Sequence, residues 1–160
     1  MSDIAVIGAG AWGTSLSIVL GRKGTHRVRL WAHEAEVRDS ISSHRVNELF
    51  LAGQTIPDSV SVTGNFEQVL HGAEIVLSVM PSQHCRAIFQ SMRGFIKPSM
   101  LFVSATKGLE EGSLLRMTEV ISAVLGSEGG FEPRIGALSG PTFAKEVARG
   151  DPTAITIASR

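Results

Sequence analysis

Seven short apolar runs punctuate the sequence, at residues 4–7, 28–31, 60–63, 75–79, 101–104, 135–138 and 154–158, and stretches with helical spacing separate most of them. A strand buried on one face alternates apolar with polar residues, whereas a near-continuous apolar run has to be covered on both faces. Helices lying between such runs supply the cover, so the pattern predicts an α/β fold with a doubly wound, mostly parallel sheet. The run at 60–63 is the weakest of the set.

Spacing also predicts where the helices lie. Trp12, Leu16, Val19 and Leu20 fall at i, i+4, i+7 and i+8, with Gly21 or Gly24 able to end that helix. Cys85, Ile88, Phe89 and Met92 form a second apolar face, with Ser82 as N-cap after Pro81. Leu114, Met117, Ile121, Val124 and Leu125 form a third. A shorter helix, marked by Phe143 and Val147, is expected to begin near Pro141 and stop at Gly150.

Composition narrows the function classes. Fifteen basic and fifteen acidic side chains leave no net charge, which removes the electrostatic case for a nucleic-acid partner or an anionic membrane surface. Cys85 is the single cysteine, so no internal disulfide forms and a reducing compartment is the natural setting. The amino terminus lacks a basic, then long apolar, leader. No apolar run approaches the roughly 18 residues that a membrane helix needs. These features point to the cytoplasm. At 160 residues the chain suits one domain.

The strongest local signal is Gly8-Ala9-Gly10-Ala11-Trp12-Gly13. It follows an apolar strand and opens an amphipathic helix, the context in which G-x-G-x-x-G marks a dinucleotide site. Gly8 permits the tight turn, Gly10 lets the backbone approach a diphosphate, and Gly13 lets the helix pack closely on the strand. The unpaired amides of the first helical turn then face the diphosphate. The domain is thus expected to be a Rossmann-like NAD(P)-binding unit over residues 1–160. An acid about 20 residues past the glycines favours NAD, and a basic group suits the 2′-phosphate of NADP. Here His33 and Glu34 stand side by side, with Arg38 one helical turn beyond, so the reading is NAD(P)(H) with a lean towards accepting NADPH.

Four further segments go beyond a generic nucleotide fold: 47–57 (NELFLAGQTIP), 79–82 (VMPS), 104–110 (SATKGLE) and 138–148 (LSGPTFAKEVA). With the glycine turn and residues 31–33, they resemble, in order along the whole chain, the amino-terminal half of bacterial-type NAD(P)-dependent glycerol-3-phosphate dehydrogenase. That resemblance implies hydride transfer between NAD(P)H and dihydroxyacetone phosphate, giving sn-glycerol 3-phosphate for phospholipid synthesis. It also implies a second, helical domain beyond Arg160 that carries the proton-donating lysine, with a homodimer compatible with the full-length protein. The present chain is accordingly expected to be a piece of a longer protein that binds dinucleotide but turns over negligibly.

The resemblance assigns cofactor contacts to Gly8, Gly10, Ala11, Trp12, Gly13, His33, Pro81, Lys107 and Ala144, and substrate contacts to Lys107, Gly140 and Thr142. Ala11 departs from the serine that many members carry, which loses a hydroxyl but keeps the backbone cradle. Physically, Pro81, Lys107 and the segment 140–142 each follow a strand, so they are expected to gather at one crevice beyond the strands' carboxyl ends. Lys107 is able to hold a phosphate or polarise a carbonyl. The plainer alternatives are a surface lysine at 107, a helix cap at Thr142 and a solvated loop residue at His33.

Other patterns are set aside. Arg22, Lys23, His26, Arg27 and Arg29 are read as a solvated helix terminus. His84 and Cys85 lack a second ligand pair for a metal, and Cys85 falls on an apolar face. Ser139 misses the G-x-S-x-G elbow by one place, and there is no Walker A sequence. Two other functions remain open: a ketopantoate- or hydroxyacid-type dehydrogenase of the same superfamily, and a non-catalytic dinucleotide-sensing module.

Overall fold

The computed structural model describes residues 1–127 and 130–159. Along the chain run β1 (Ser2–Ile7), α1 (Ala11–Arg22), β2 (His26–Trp31), α2 (Ala35–His44), β3 (Val46–Asn47), α3 (Glu48–Leu51), β4 (Ala52–Thr55) and β5 (Val60–Thr63). Then come α4 (Phe66–Leu70), β6 (Ile75–Ser78), α5 (Cys85–Met92), β7 (Leu101–Ser104), α6 (Met117–Ser122), β8 (Arg134–Ser139), α7 (Ala144–Arg149) and β9 (Thr156–Ser159). All seven apolar runs are strands of one sheet, ordered β5-β2-β1-β6-β7-β8-β9. Every neighbouring pair is parallel except β8 with β9. This is the doubly wound Rossmann order, in which the progression of strands across the sheet reverses between β1 and β6 while the strands stay parallel. The last strand is an antiparallel edge, exposed along its whole length.

Because successive side chains of a strand point to opposite faces, each face of the sheet builds its own core. Ile4 and Val6 of β1 join Leu30, Leu77, Leu16, Ile18 and Ile41 on the face carrying α1 and α2. Ala5 and Ile7 join Val76, Phe102, Phe89, Met92 and Ile121 on the face carrying α5 and α6. Complete burial of such a side chain contributes about 1.5–3 kcal/mol, so a one-residue slip of β1 exchanges its two sets of partners.

The helices partly depart from their expected faces. In α1 the buried residues are Gly13, Thr14, Ser15, Leu16, Ser17, Ile18 and Gly21, while Val19 is 41% exposed. Close approach explains the shift. A Cβ at Gly21 would lie 2.6 Å from Val60 Cγ2, so the helix rests on its small residues. Leu114 lies outside α6 with a left-handed φ of 56° and is 72% exposed. Val120 joins Met117 and Ile121 in the core instead. Ser82 opens a short 3₁₀ turn and does not cap through its side chain. Phe143 is the extended residue before α7 and is 70% exposed. That helix does stop at Gly150, which takes a φ of 94°.

The expected basic cluster is mostly engaged. Arg27 and Arg29 both pair with Asp3, at 3.3 and 3.0 Å, and Arg22 donates to the Ala148 carbonyl. No helix among the described residues is long and apolar enough to cross a membrane.

Candidate functional site

Beyond the carboxyl ends of β1, β6 and β7 lies a cleft of about 700 Å³. Its floor is the glycine turn. Gly8 has a φ of 118°, and a Cβ there would sit 2.0 Å from the Val79 carbonyl oxygen. A Cβ at Gly13 would sit 1.8 Å from the Gly8 carbonyl oxygen, so the start of α1 lies directly against the turn. Both positions require glycine for packing. Gly10 differs, since a Cβ there would meet nothing within 4 Å, and the residue lines the cleft. The first helical hydrogen bond runs from the Thr14 amide to the Gly10 carbonyl at 3.0 Å, and no side chain caps the helix. The amides of Ala11, Trp12 and Gly13 therefore precede the ladder, the arrangement that accepts an anion.

The side walls come from several elements. Trp31 ends β2 and His33 lies in the loop just after it, their rings 6.0 Å apart, and Arg38 donates to the Ala32 and His33 carbonyls at 2.9 and 2.7 Å. Arg38 thereby holds this loop from behind. Ala144 reaches the cleft because α7 lies along α1, where Ser15 donates to the Ala144 carbonyl at 2.8 Å. The β6 and β7 loops are tied by Thr106, whose hydroxyl donates to the Ser78 carbonyl at 3.2 Å and accepts from the Met80 amide at 3.3 Å.

Lys107 is exposed at the mouth of the cleft. The loop after it is anchored by a two-pronged ion pair, with Arg86 Nε and Nη2 each 2.8 Å from a Glu110 carboxylate oxygen. Ser113 donates to the same carboxylate at 2.5 Å. The Arg86 hydrogen bonds, and then that of Ser113, hold the Glu110 carboxyl down at about 2. It stays ionised at any physiological pH. Burial pushes the Cys85 thiol up to about 12, with the Glu110 charge adding to the effect, so Cys85 is a packing residue.

A model of the NAD-dependent glycerol-3-phosphate dehydrogenase N-terminus matches residues 3–160. This chain belongs to that family. Among curated relatives, glycerol-3-phosphate dehydrogenase [NAD(P)+] of Koribacter versatilis is 61% identical over 159 residues, 99% of this chain and 47% of that protein. The crystal structure of glycerol-3-phosphate dehydrogenase from Coxiella burnetii superposes with a TM-score of 0.90 at 34% identity, over 99% of this chain and 46% of that one. The chain thus spans about half the length of the relatives it matches. A ketopantoate reductase from Ralstonia eutropha, at TM-score 0.64 and 19% identity over 88% of this chain and 42% of its own, shares the fold alone.

Of the positions that the resemblance singled out, the fold brings Gly8, Gly10, Ala11, Trp12, Gly13, His33, Pro81, Lys107, Thr142 and Ala144 to one cleft. Gly140 is not among its lining residues. A Cβ there would lie 2.5 Å from the Ala154 carbonyl oxygen, so this glycine permits the chain to pass beside residue 154. It also accepts from the Thr142 amide at 2.9 Å, which sets the turn that carries Thr142 inward. Thr142 does not act as a cap, because its hydroxyl is buried with no protein partner.

Sequence reasoning missed Phe50, Met80, His84 and Ile88, which also line the cleft. Phe50 lies in the 47–57 segment, whose composition was visible but whose place at the cleft was not.

Proposed function

We propose that the cleft binds NAD(H) or NADP(H), with its diphosphate over the amides that open α1. On this reading the chain is the cofactor half of an enzyme that moves a hydride between that dinucleotide and dihydroxyacetone phosphate, giving sn-glycerol 3-phosphate. One observation carries the proposal: an uncapped helix start, an unobstructed Gly10, the Lys107 ammonium and an unpartnered Thr142 hydroxyl share a single cleft. Bound there, the reduced nicotinamide supplies the hydride.

The chain's own residues bind and orient. Lys107 offers a point charge for a phosphate or a carbonyl oxygen. Thr142 lines the cleft with a buried, unpartnered hydroxyl assigned here to the substrate side, and Gly140 shapes the turn behind it. His33 next to Glu34 accommodates either cofactor, the histidine meeting a 2′-phosphate and the acid a ribose hydroxyl. Reduction also needs a proton for the developing alkoxide, a role the family resemblance implies for a lysine past Arg160. On this reading residues 1–160 are the dinucleotide-binding domain; the cytoplasmic setting follows from the sequence features given above, and the homodimer of a longer chain rests on the family resemblance.

The test is titration with NADH and with NADPH, repeated on Gly10→Val, together with steady-state reduction of dihydroxyacetone phosphate. Both cofactors are expected to bind, the variant to lose both, and turnover by the 160 residues to be negligible. Equal binding by Gly10→Val would move the site elsewhere.

A further inference from the structure

Asn47 is fully buried, and every polar atom of its amide is engaged. Nδ2 donates to the Ala9 carbonyl and to the Thr14 hydroxyl, both at 2.8 Å. Oδ1 accepts from the Phe50 amide at 3.1 Å. Thr14 Oγ1 in turn donates to the same Ala9 carbonyl at 3.2 Å. With both donor hydrogens and the acceptor spent on separate partners, the amide has one orientation that satisfies the network. Core filling alone would favour an apolar residue, because a buried amide gains little net stability even when fully paired. The arrangement does something an apolar residue could not do.

The Ala9 carbonyl belongs to the peptide between the first two glycines of the turn. In a planar trans peptide the C=O and the following N–H point in opposite directions. Two hydrogen bonds that hold the Ala9 oxygen inward therefore turn the Gly10 N–H outward, on a residue that lines the cleft. The same asparagine caps α3 through the Phe50 amide, and Phe50 also lines that cleft.

We propose that Asn47 is a positioning residue for the cofactor's diphosphate, presenting the Gly10 N–H and tying that donor to the wall that Phe50 provides. This rests on the reading of the cleft as a dinucleotide site. Asn47 touches no ligand itself; it acts through a peptide plane. Pre-set donors need no reorganisation when an anion arrives, and a freely rotating peptide has to be ordered at the moment of binding.

The experiment compares NADH affinity of the 160-residue chain with that of Asn47→Ala, Thr14→Val, Phe50→Ala and the Asn47→Ala/Phe50→Ala pair. Thermal unfolding checks the fold, and the ¹⁵N–¹H resonance of Gly10 is followed through each titration. Asn47→Ala is expected to weaken NADH about tenfold, and to blunt the shift that NADH causes at Gly10. Thr14→Val, which removes the longer 3.2 Å anchor and leaves the 2.8 Å bond from Asn47, is expected to lose about threefold. Folded Asn47→Ala that binds within twofold of the wild type overturns the proposal. So does a loss matched by Phe50→Ala, with no further loss in the pair and an unaltered Gly10 shift. If Asn47→Ala does not fold, Thr14→Val decides: a loss of threefold or more supports the proposal, and a smaller loss overturns it. A wild-type chain that leaves Gly10 unmoved by NADH defeats the underlying cofactor reading, and this proposal with it.

Discussion

Gly13→Ala adds a single carbon, and its cost follows from the backbone. The new Cβ would lie 1.8 Å from the Gly8 carbonyl oxygen, whereas a carbon–oxygen contact relaxes at about 3.3 Å. The start of α1 and the end of β1 therefore have to separate by about 1.5 Å. The obstructing atom is main chain, so no rotamer change absorbs the clash. Overpacking of this kind costs about 1–3 kcal/mol, and for a domain of this size each kcal/mol moves Tm by about 2–4 °C. A fall in Tm of roughly 2–12 °C is expected.

Gly10→Ala is the matched control. Gly10 has φ −66° and ψ −178°, which alanine adopts, with open space around its Cβ. Stiffening the unfolded chain gains about 0.4–1 kcal/mol, and alanine is a poorer N-cap than glycine by about 0.5 kcal/mol. The two effects nearly cancel, so Tm stays within about 2 °C of the wild type. NADH binding is expected to weaken in both variants, through a displaced helix start in one and an obstructed approach in the other. Circular dichroism melts and NADH titrations read the two quantities separately. Gly13→Ala that melts with the wild type and binds NADH as well would refute the close-packing argument.

The Glu110 carboxyl, held at about 2 against an ordinary 4.5, makes a signed prediction. A depressed folded-state value contributes stability that is complete above about 4.5 and lost as pH falls towards about 2. Glu110→Gln should therefore flatten the dependence of Tm on pH within that window, and an unchanged slope would disprove the role given to the Arg86 pair. Cys85, fully buried with its thiol near 12, should resist a thiol-specific disulfide reagent at pH 8 until the protein is denatured. Stoichiometric labelling of the native chain within minutes would show the thiol to be accessible.

Much of the layout was legible because it is written locally. A strand covered on both faces has to be apolar along its length, and the seven apolar runs became the seven strands of the sheet, although the last of them, β9, is an exposed edge rather than a covered strand. The glycine turn was legible for a similar reason: Gly8 and Gly13 sit where a Cβ would strike main chain. The helix faces were less so. Residues 12, 16, 19 and 20 and residues 14, 17, 18 and 21 both carry a helical period; the close packing at Gly21, where a Cβ would lie 2.6 Å from Val60 Cγ2, buries the second set, while of the first Leu16 stays in the core and Val19 turns outward. Phe50 escaped notice because nothing nearby in sequence marks it as cleft-lining. The Asn47 side chain bridges 38 residues to reach the Ala9 carbonyl.

Periodicity and glycine placement were enough to determine the alternation of strands with helices, the Rossmann-like class and the turn at the start of α1, since each depends on backbone repeats and steric limits within a few residues. Folding alone decided the order β5-β2-β1-β6-β7-β8-β9, the antiparallel turn-back of β9, the place of Gly140 beside residue 154 and the buried asparagine beneath the turn. Those depend on which distant segments pair. The free energy of pairing comes from shared burial between segments far apart along the chain, and no local pattern records its partner.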